Sequence, residues 1–312
     1  MFGELKMFYT SLQNDKNEKI EKFGTVGTKI LHLADRNYST KKCCMVMGIL
    51  NANSSSFYEK SRVPSTDEAV EKALKMIEDG ADILDIGSES SQPGIDYIDE
   101  QTELEKVVPI VQKIRKYNQT IPISIDTRKK NVIEQCVQSG VDILNDISAL
   151  EDDEKMGSYV ASSKISVILM HKRGNPKQMQ QNTQYDDVVK EVSNYLYERA
   201  DYAIEQGISE EKIIFDVGIG FGKDLKSNLQ LVRNCDKISK GYKSGNCLSI
   251  MALSRKTMIQ VLTGKNVQDC LAGTIAANSF AILSGADIVR VHDVKEAVDM
   301  VNVLSALLGV SA

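Results

Sequence analysis

Eight short apolar runs, each ending on or carrying a polar residue, constrain this chain more than any other feature. They are MVMGILN ending at Asn51, DILDIG around Asp85, IPISID ending at Asp126, DILN ending at Asn145, SVILMH ending at His171, KIIFD ending at Asp216, CLSIMALS running to Ser254, and DIVRVH carrying Arg290 and His292. Most are separated by stretches of helical periodicity, at 65–79, 100–117, 130–139, 152–162, 185–206, 225–239, 269–283 and 294–308. Strand then helix, repeated with strands rich in Ile, Val and Leu, predicts a parallel sheet. Eight units favour an α/β fold closed into a (β/α)8 TIM barrel. An open doubly wound sheet is the alternative, because periodicity does not report closure. In a barrel the C-terminal strand ends surround one mouth. Residues from Asn51 to His292 are then expected to share one pocket.

The 312 residues fit one such domain. Residues 1–27 read as a polar N-terminal extension and 28–312 as the barrel domain, with 28–42 as a small hairpin closing its bottom. Ser65 or Thr66 is expected to cap the first helix. Gly80, Gly140, Gly207 and Gly285 are expected to end helices in the left-handed conformation. A net charge of −5 argues against nucleic acid or an acidic membrane as partner. The charged N-terminus lacks a secretory apolar core and no apolar run reaches membrane-spanning length, so a cytoplasmic protein is expected. The six cysteines form no C-x-x-C pair and read as small buried hydrophobes in a reducing compartment. The three histidines are too dispersed for a zinc site.

The strand ends carry the chemistry. Asp126 can accept two parallel N–H bonds from an amino-heterocycle edge, or cap a helix. The Asn145 amide donates and accepts, which suits a heteroaromatic edge; Asp146 beside it is a candidate cap. Asp216 is the strongest single candidate, because Gly218, Gly220 and Gly222 permit a tight loop with close backbone approach to a ligand. The Walker phosphate-loop spacing fails here, with Val217 at the first glycine position and Asp224 after Lys223. Phe221 is either a stacking wall or a core residue. Lys256 can neutralise developing charge or bond a ring carbonyl; alternatively Arg255 and Lys256 form a solvated basic pair. Arg290 and His292 face the same way on the last strand, where barrels often hold phosphate. Asp293 reads as a helix cap. Asn51 can ligand Mg2+ together with diphosphate oxygens, or simply form a turn.

Taken together, MGILN (47–51), DILDIGSESSQPG (82–94), ISIDTRK (123–129), LNDIS (144–148), LMHKRGNPKQMQ (169–180), FDVGIGFGK (215–223), LSRKTMI (253–259) and DIVRVHDV (287–294) resemble dihydropteroate synthase. The resemblance covers roughly residues 28–308, in order. It implies a (β/α)8 barrel, usually a homodimer. It also implies condensation of 6-hydroxymethyl-7,8-dihydropterin diphosphate with p-aminobenzoate, giving dihydropteroate and pyrophosphate. By position, Asp126, Asn145, Asp216 and Lys256 match the pterin-binding set, and Ile147 is grouped with them. Met170 and Phe221 match pocket walls. Arg290 matches the residue that packs on the pterin and touches phosphate. Asn51 and His292 match the anion and Mg2+ end, and Ser254 lies where p-aminobenzoate approaches. Lys256, Arg290 and His292 are the implied catalytic residues, and Mg2+ the implied cofactor.

Two loops depart from that pattern. Where the family reads T-P-D-S-F, this chain has Asn53-Ser54-Ser55-Ser56-Phe57, so a loop carboxylate becomes Ser55. Where it reads E-S-T-R-P-G, this chain has Glu89-Ser90-Ser91-Gln92-Pro93-Gly94. Ser91 and Gln92 are expected on the diphosphate and p-aminobenzoate side, where Gln92 removes a cation that Lys60 or Arg62 can replace. The alternative is a pterin-binding homologue with another second substrate or none: a methyltetrahydrofolate-dependent methyltransferase-like protein, or a non-catalytic paralogue.

Overall fold

A computed structural model of the chain describes residues 29–52, 65–89, 98–174 and 182–310. An antiparallel hairpin of β1 (Lys29–His32) and β2 (Asn37–Thr40) leads into eight parallel strands. These are β3 (Met45–Asn51), β4 (Ile83–Gly87), β5 (Ile123–Asp126), β6 (Ile143–Asp146), β7 (Ser166–Met170), β8 (Ile213–Asp216), β9 (Leu248–Met251) and β10 (Ile288–Val291). They close into a barrel, with β10 bonded to both β3 and β9. All eight expected runs are strands, and the open-sheet alternative is excluded.

The strand sequences explain the closure. Alternate residues face opposite sides of a strand. The outward set (Leu84, Ile125, Leu144, Val167, Phe215, Val289) packs in one core with the surrounding helices. The inward set (Met45, Met47, Ile83, Ile143, Ile168, Ile214, Ile250, Ile288) fills the lower barrel. Two residues after each of five of these isoleucines stands a different kind of side chain: Asp85, Asn145, Met170, Asp216 and Arg290. On β5 the same step leads from Ser124 to Asp126. One pleat therefore separates the dry floor from the polar mouth.

The hairpin seals the opposite end, as expected. Leu31 and Leu33 pack into the inward cluster from below. Three aspartates, each immediately preceding a strand, form its seat. Asp82 accepts the backbone N–H of Val46 (2.9 Å), Asp142 that of Ile123 (3.0 Å) and Asp287 that of Ser249 (2.8 Å). Each also pairs with a cation at this end: Lys42 with Asp82 (3.4 Å), Arg36 with Asp142 (3.1 Å) and Lys29 with Asp287 (2.5 Å). Residues 1–27, read as an extension, lie outside the described residues.

The helices follow the expected pattern with three differences. Ser65 caps α1 (Thr66–Glu78) by accepting from Glu68 N–H, and the four αβ glycines all take positive φ. The helix expected over 225–239 is two, Leu225–Arg233 and Cys235–Lys240. At the break the Asn234 side chain donates to Gln230 O (2.8 Å). A short helix at Thr257–Thr263, absent from the sequence reading, precedes Leu271–Leu283. Asp293 occupies the cap position of the last helix (Val294–Leu307) but makes no capping bond, because Arg255 holds both its oxygens (2.9 Å each).

Asp142 is the seat most exposed to test, since it also accepts from the largely buried Arg115 (2.8 Å). Asp142→Ala should lower unfolding stability by about 3–5 kcal/mol, because it strands buried positive charge. Urea unfolding of the two proteins measures this.

Candidate active site

The floor of the mouth is an ion pair. Asp85, fully buried on β4, faces Arg290 on β10, whose Nε donates to Asp85 Oδ2 at 2.6 Å. Arg290 Nη2 reaches Asp126 Oδ2 at 3.1 Å, so one guanidinium ties β10 to β4 and β5. Asn145 Nδ2 approaches both Asp85 oxygens, at 3.2 and 3.4 Å. Asp126 is therefore not a helix cap; the residue at that position is Lys129. Burial pushes the Asp126 carboxyl up to about 7, and Arg290 offsets only part of that. For Arg290 burial is outweighed by Asp85 and Asp126, and the guanidinium stays charged.

A second group stands across the mouth. Asp216 is raised by burial, against which the Gly218 N–H (2.7 Å from Oδ1) and Lys256 favour its charged form. Lys256 is brought down to about 8 by burial, with Asp216 opposing. Its Nζ sits 4.6 Å from the centre of the Phe221 ring. Phe221, Ile147 and Met170 form an apolar cluster of their own, apart from both barrel cores. Phe221 is thus a wall of the mouth rather than part of the general core. The result is a slot with apolar faces, cations at Arg290 and Lys256, and hydrogen-bonding groups from Asp126, Asn145 and Asp216. A flat heterocycle with several N–H groups on one edge and a carbonyl on another matches it.

At the β9–β10 side, Ser254 Oγ accepts the backbone N–H of His292 (3.2 Å) and lies 3.0 Å from its Nδ1. Burial, then Arg290, lowers the His292 imidazole to about 3, so it is neutral. Arg255 is not half of a solvated pair: it is buried, takes a left-handed backbone (φ 57°) and clasps Asp293. Asn51 ends β3, paired in register with Gly87. Ser91 and Gln92 lie outside the described residues, as do Ser55, Lys60 and Arg62.

Two features were missed from sequence. Asp85 was seen in its run but not assigned to the site; the one-pleat spacing shared with Asp216 is the signal that marks it. The other is Lys223, 3% exposed, which turns inward beneath its own loop. The glycines there approach protein. A Cβ on Gly218 would fall 1.9 Å from His171 O, and one on Gly222 2.7 Å from Arg173 O.

Comparison with known proteins is decisive. Residues 47–292 match the family model described as pterin binding enzyme. The chain belongs to the pterin binding enzyme family. Within it, dihydropteroate synthase of Haemophilus influenzae is 37% identical over 275 residues, covering 86% of this chain and 98% of the relative. The Escherichia coli dihydropteroate synthase is 38% identical over 263 residues, covering 84% and 91%. Among solved structures, Xanthomonas albilineans dihydropteroate synthase with 4-aminobenzoic acid superposes with a TM-score of 0.81 at 33% identity, covering 90% of this chain and 98% of that one. The Yersinia pestis enzyme with a sulfonamide drug complex gives 0.84 at 31% identity, covering 90% and 99%.

His171 offers a test of these electrostatics. Burial, then Lys223, lowers its imidazole to about 2. The unfolded chain binds that proton near pH 6.5, so the stabilisation is complete above about pH 6.5 and is lost as pH falls. Urea unfolding should show a loss of about 2 kcal/mol from this group between about pH 7 and pH 5. The variant His171→Asn, which cannot titrate, should remove that share of the loss and leave the share that His292 contributes over the same range.

Proposed function

We propose that the barrel mouth condenses 6-hydroxymethyl-7,8-dihydropterin diphosphate with p-aminobenzoate, giving dihydropteroate and pyrophosphate. The observation that carries this reading is the slot itself. Its acceptors, cations and apolar faces complement a pterin, and they come from the strand ends that match dihydropteroate synthases over nearly the whole chain. A related structure contains 7,8-dihydropteroate. These relatives favour the synthase over the methyltransferase-like or non-catalytic alternatives.

The pterin amino and ring N–H groups meet Asp126, Asn145 and Asp216, and its carbonyl meets Lys256. Met170, Ile147 and Phe221 cover one face; Arg290 lies toward the other and toward the diphosphate. The methylene C–O bond breaks, and diphosphate leaves with the electron pair toward Arg290 and His292. The methylene cation is delocalised into the ring, and the arylamine nitrogen forms the new C–N bond. Its proton passes to solvent or departing diphosphate. A neutral His292 with so low a pKa is a hydrogen-bonding group rather than a base. Ser254 positions it on the side where p-aminobenzoate approaches, with Ser91 and Gln92 assigned to the same side.

Mg2+ is the expected cofactor. Among the described residues no cluster of three or more His, Cys, Asp or Glu exists to hold a metal. The Asn51 amide at the strand tip offers one hard oxygen, which suits an ion whose other ligands are diphosphate and water. When bound there, Mg2+ would neutralise charge on the leaving group.

A homodimer in the cytoplasm completes the proposal. Its candidate contact surface is the apolar groove between the helices Leu225–Arg233, Thr257–Thr263 and Leu271–Leu283, where Leu262 and Phe280 are 55% and 49% exposed. The free, buried cysteines suit a reducing compartment. Among the described residues no helix is long and apolar enough to cross a membrane.

Purified protein with Mg2+, pterin diphosphate and p-aminobenzoate should form dihydropteroate, and chelation should stop it. Folded protein that binds the pterin yet makes no product at saturation would refute the synthase reading. Asp126→Ala and Asp216→Ala should each weaken calorimetric pterin binding by about 2–5 kcal/mol. Light scattering should give twice the chain mass for the wild type and the single mass for Leu262→Asp/Phe280→Asp.

A further inference from the structure

The loop after β8 is held by a buried lysine that the chemistry above does not use. Lys223 Nζ lies within hydrogen-bond distance of four groups. It donates to Gly218 O (3.0 Å), Phe221 O (3.0 Å) and His171 O (3.3 Å), and lies 2.8 Å from His171 Nδ1. The three carbonyls can only accept, so the nitrogen donates to them, with its N–H groups shared among the contacts; the tautomer of His171 that keeps its proton on Nε2 presents the Nδ1 lone pair as the fourth acceptor. His171 is in turn fixed on its other sides. Its backbone N–H donates to Asp216 O (2.9 Å), and its ring stands edge-on to Tyr195 with centroids 5.0 Å apart.

The loop so held carries two walls of the slot. Gly218 N–H donates to Asp216 Oδ1, and Phe221 N–H donates to Gly218 O (3.1 Å). The turn that Lys223 fastens therefore aims the Asp216 carboxylate and the Phe221 ring together. Asn228 fastens the far side of the loop, accepting from Gly220 N–H (2.9 Å) and donating to Lys223 O (3.2 Å). Since Gly218 packs directly on the His171 carbonyl, the loop has no room to settle inward if the lysine is lost.

We propose that Lys223 and His171 act as a positioning couple, fixing the 217–222 loop so that Asp216 and Phe221 meet the pterin, without touching it themselves. This rests on the pterin-binding reading. The couple sets affinity for the deep substrate and leaves that for the arylamine, which approaches from the Ser254 side, largely alone.

The test uses full-length protein, calorimetric binding of pterin diphosphate, and separate KM values for the two substrates. Lys223→Met keeps the apolar stem and removes the donors. It should raise the pterin dissociation constant about tenfold or more and change the p-aminobenzoate KM less than about threefold. His171→Asn places an acceptor near the position of Nδ1 and should stay within about threefold of wild type, whereas His171→Leu should reproduce the Lys223→Met defect. Wild-type pterin affinity in Lys223→Met, or an equal rise in both KM values, overturns the proposal. Should Lys223→Met fail to fold, the two His171 variants decide: equal affinities overturn it, and a loss confined to His171→Leu supports it. Absence of pterin binding by the wild type would instead refute the functional reading, before any variant is compared.

Discussion

The contact between Asp85 and Arg290 is the constraint on which the mouth depends. A fully buried carboxylate needs a partner, and a guanidinium offers a planar array of donors that can satisfy it while reaching elsewhere. Arg290 does both, holding Asp85 below and Asp126 beside. Asn145 leans on the same carboxylate. Three side chains from three strands are thereby oriented by one buried charge. Breaking it would leave Asp85 without compensation in the driest part of the site, so the arrangement is fixed before any substrate arrives.

Much of this was legible in the sequence because strands have a period of two. An isoleucine two positions before an aspartate, repeated on β4 and β8, places floor and mouth on the same face whatever the details of the loops. The number of runs favours barrel closure without reporting it, and the short alternating stretch before them marks the hairpin. The hidden part lies where direction depends on loop backbone. Arg255 reads as half of a solvated basic pair and Lys223 carries no assigned role, yet both turn inward. Left-handed residues steer them: Gly218, Gly220 and Gly222 in one case and Arg255 itself in the other. Hydrophobic periodicity does not record such turns. The break at Asn234 escaped for a similar reason, since a side chain competing for a helical carbonyl leaves the apolar pattern intact.

Charge is distributed unevenly around the mouth. On the β4–β5 side, Glu89 meets Arg128 (3.0 Å) and Lys129 (3.2 Å), and Lys129 meets Glu103 (2.5 Å). Asp152 meets Arg128 and, at 3.5 Å, Lys172. These cations are engaged by carboxylates. The positive character directed at a ligand is concentrated instead at Arg290 and Lys256. Asp216 and the Phe221 ring lie on the same side as Lys256, so its environment is one that a bound heterocycle completes rather than disrupts.

The hairpin seated on Asp82, Asp142 and Asp287 has a consequence for traffic. With Leu31 and Leu33 under the barrel and isoleucines filling its lower half, the fold is a cup and not a tube. Whatever rests against the Arg290 floor can leave only past whatever lies above it. Two reactants that stack in such a cup must be loaded deep one first, and a joined product must come out whole through the opening by which its parts went in.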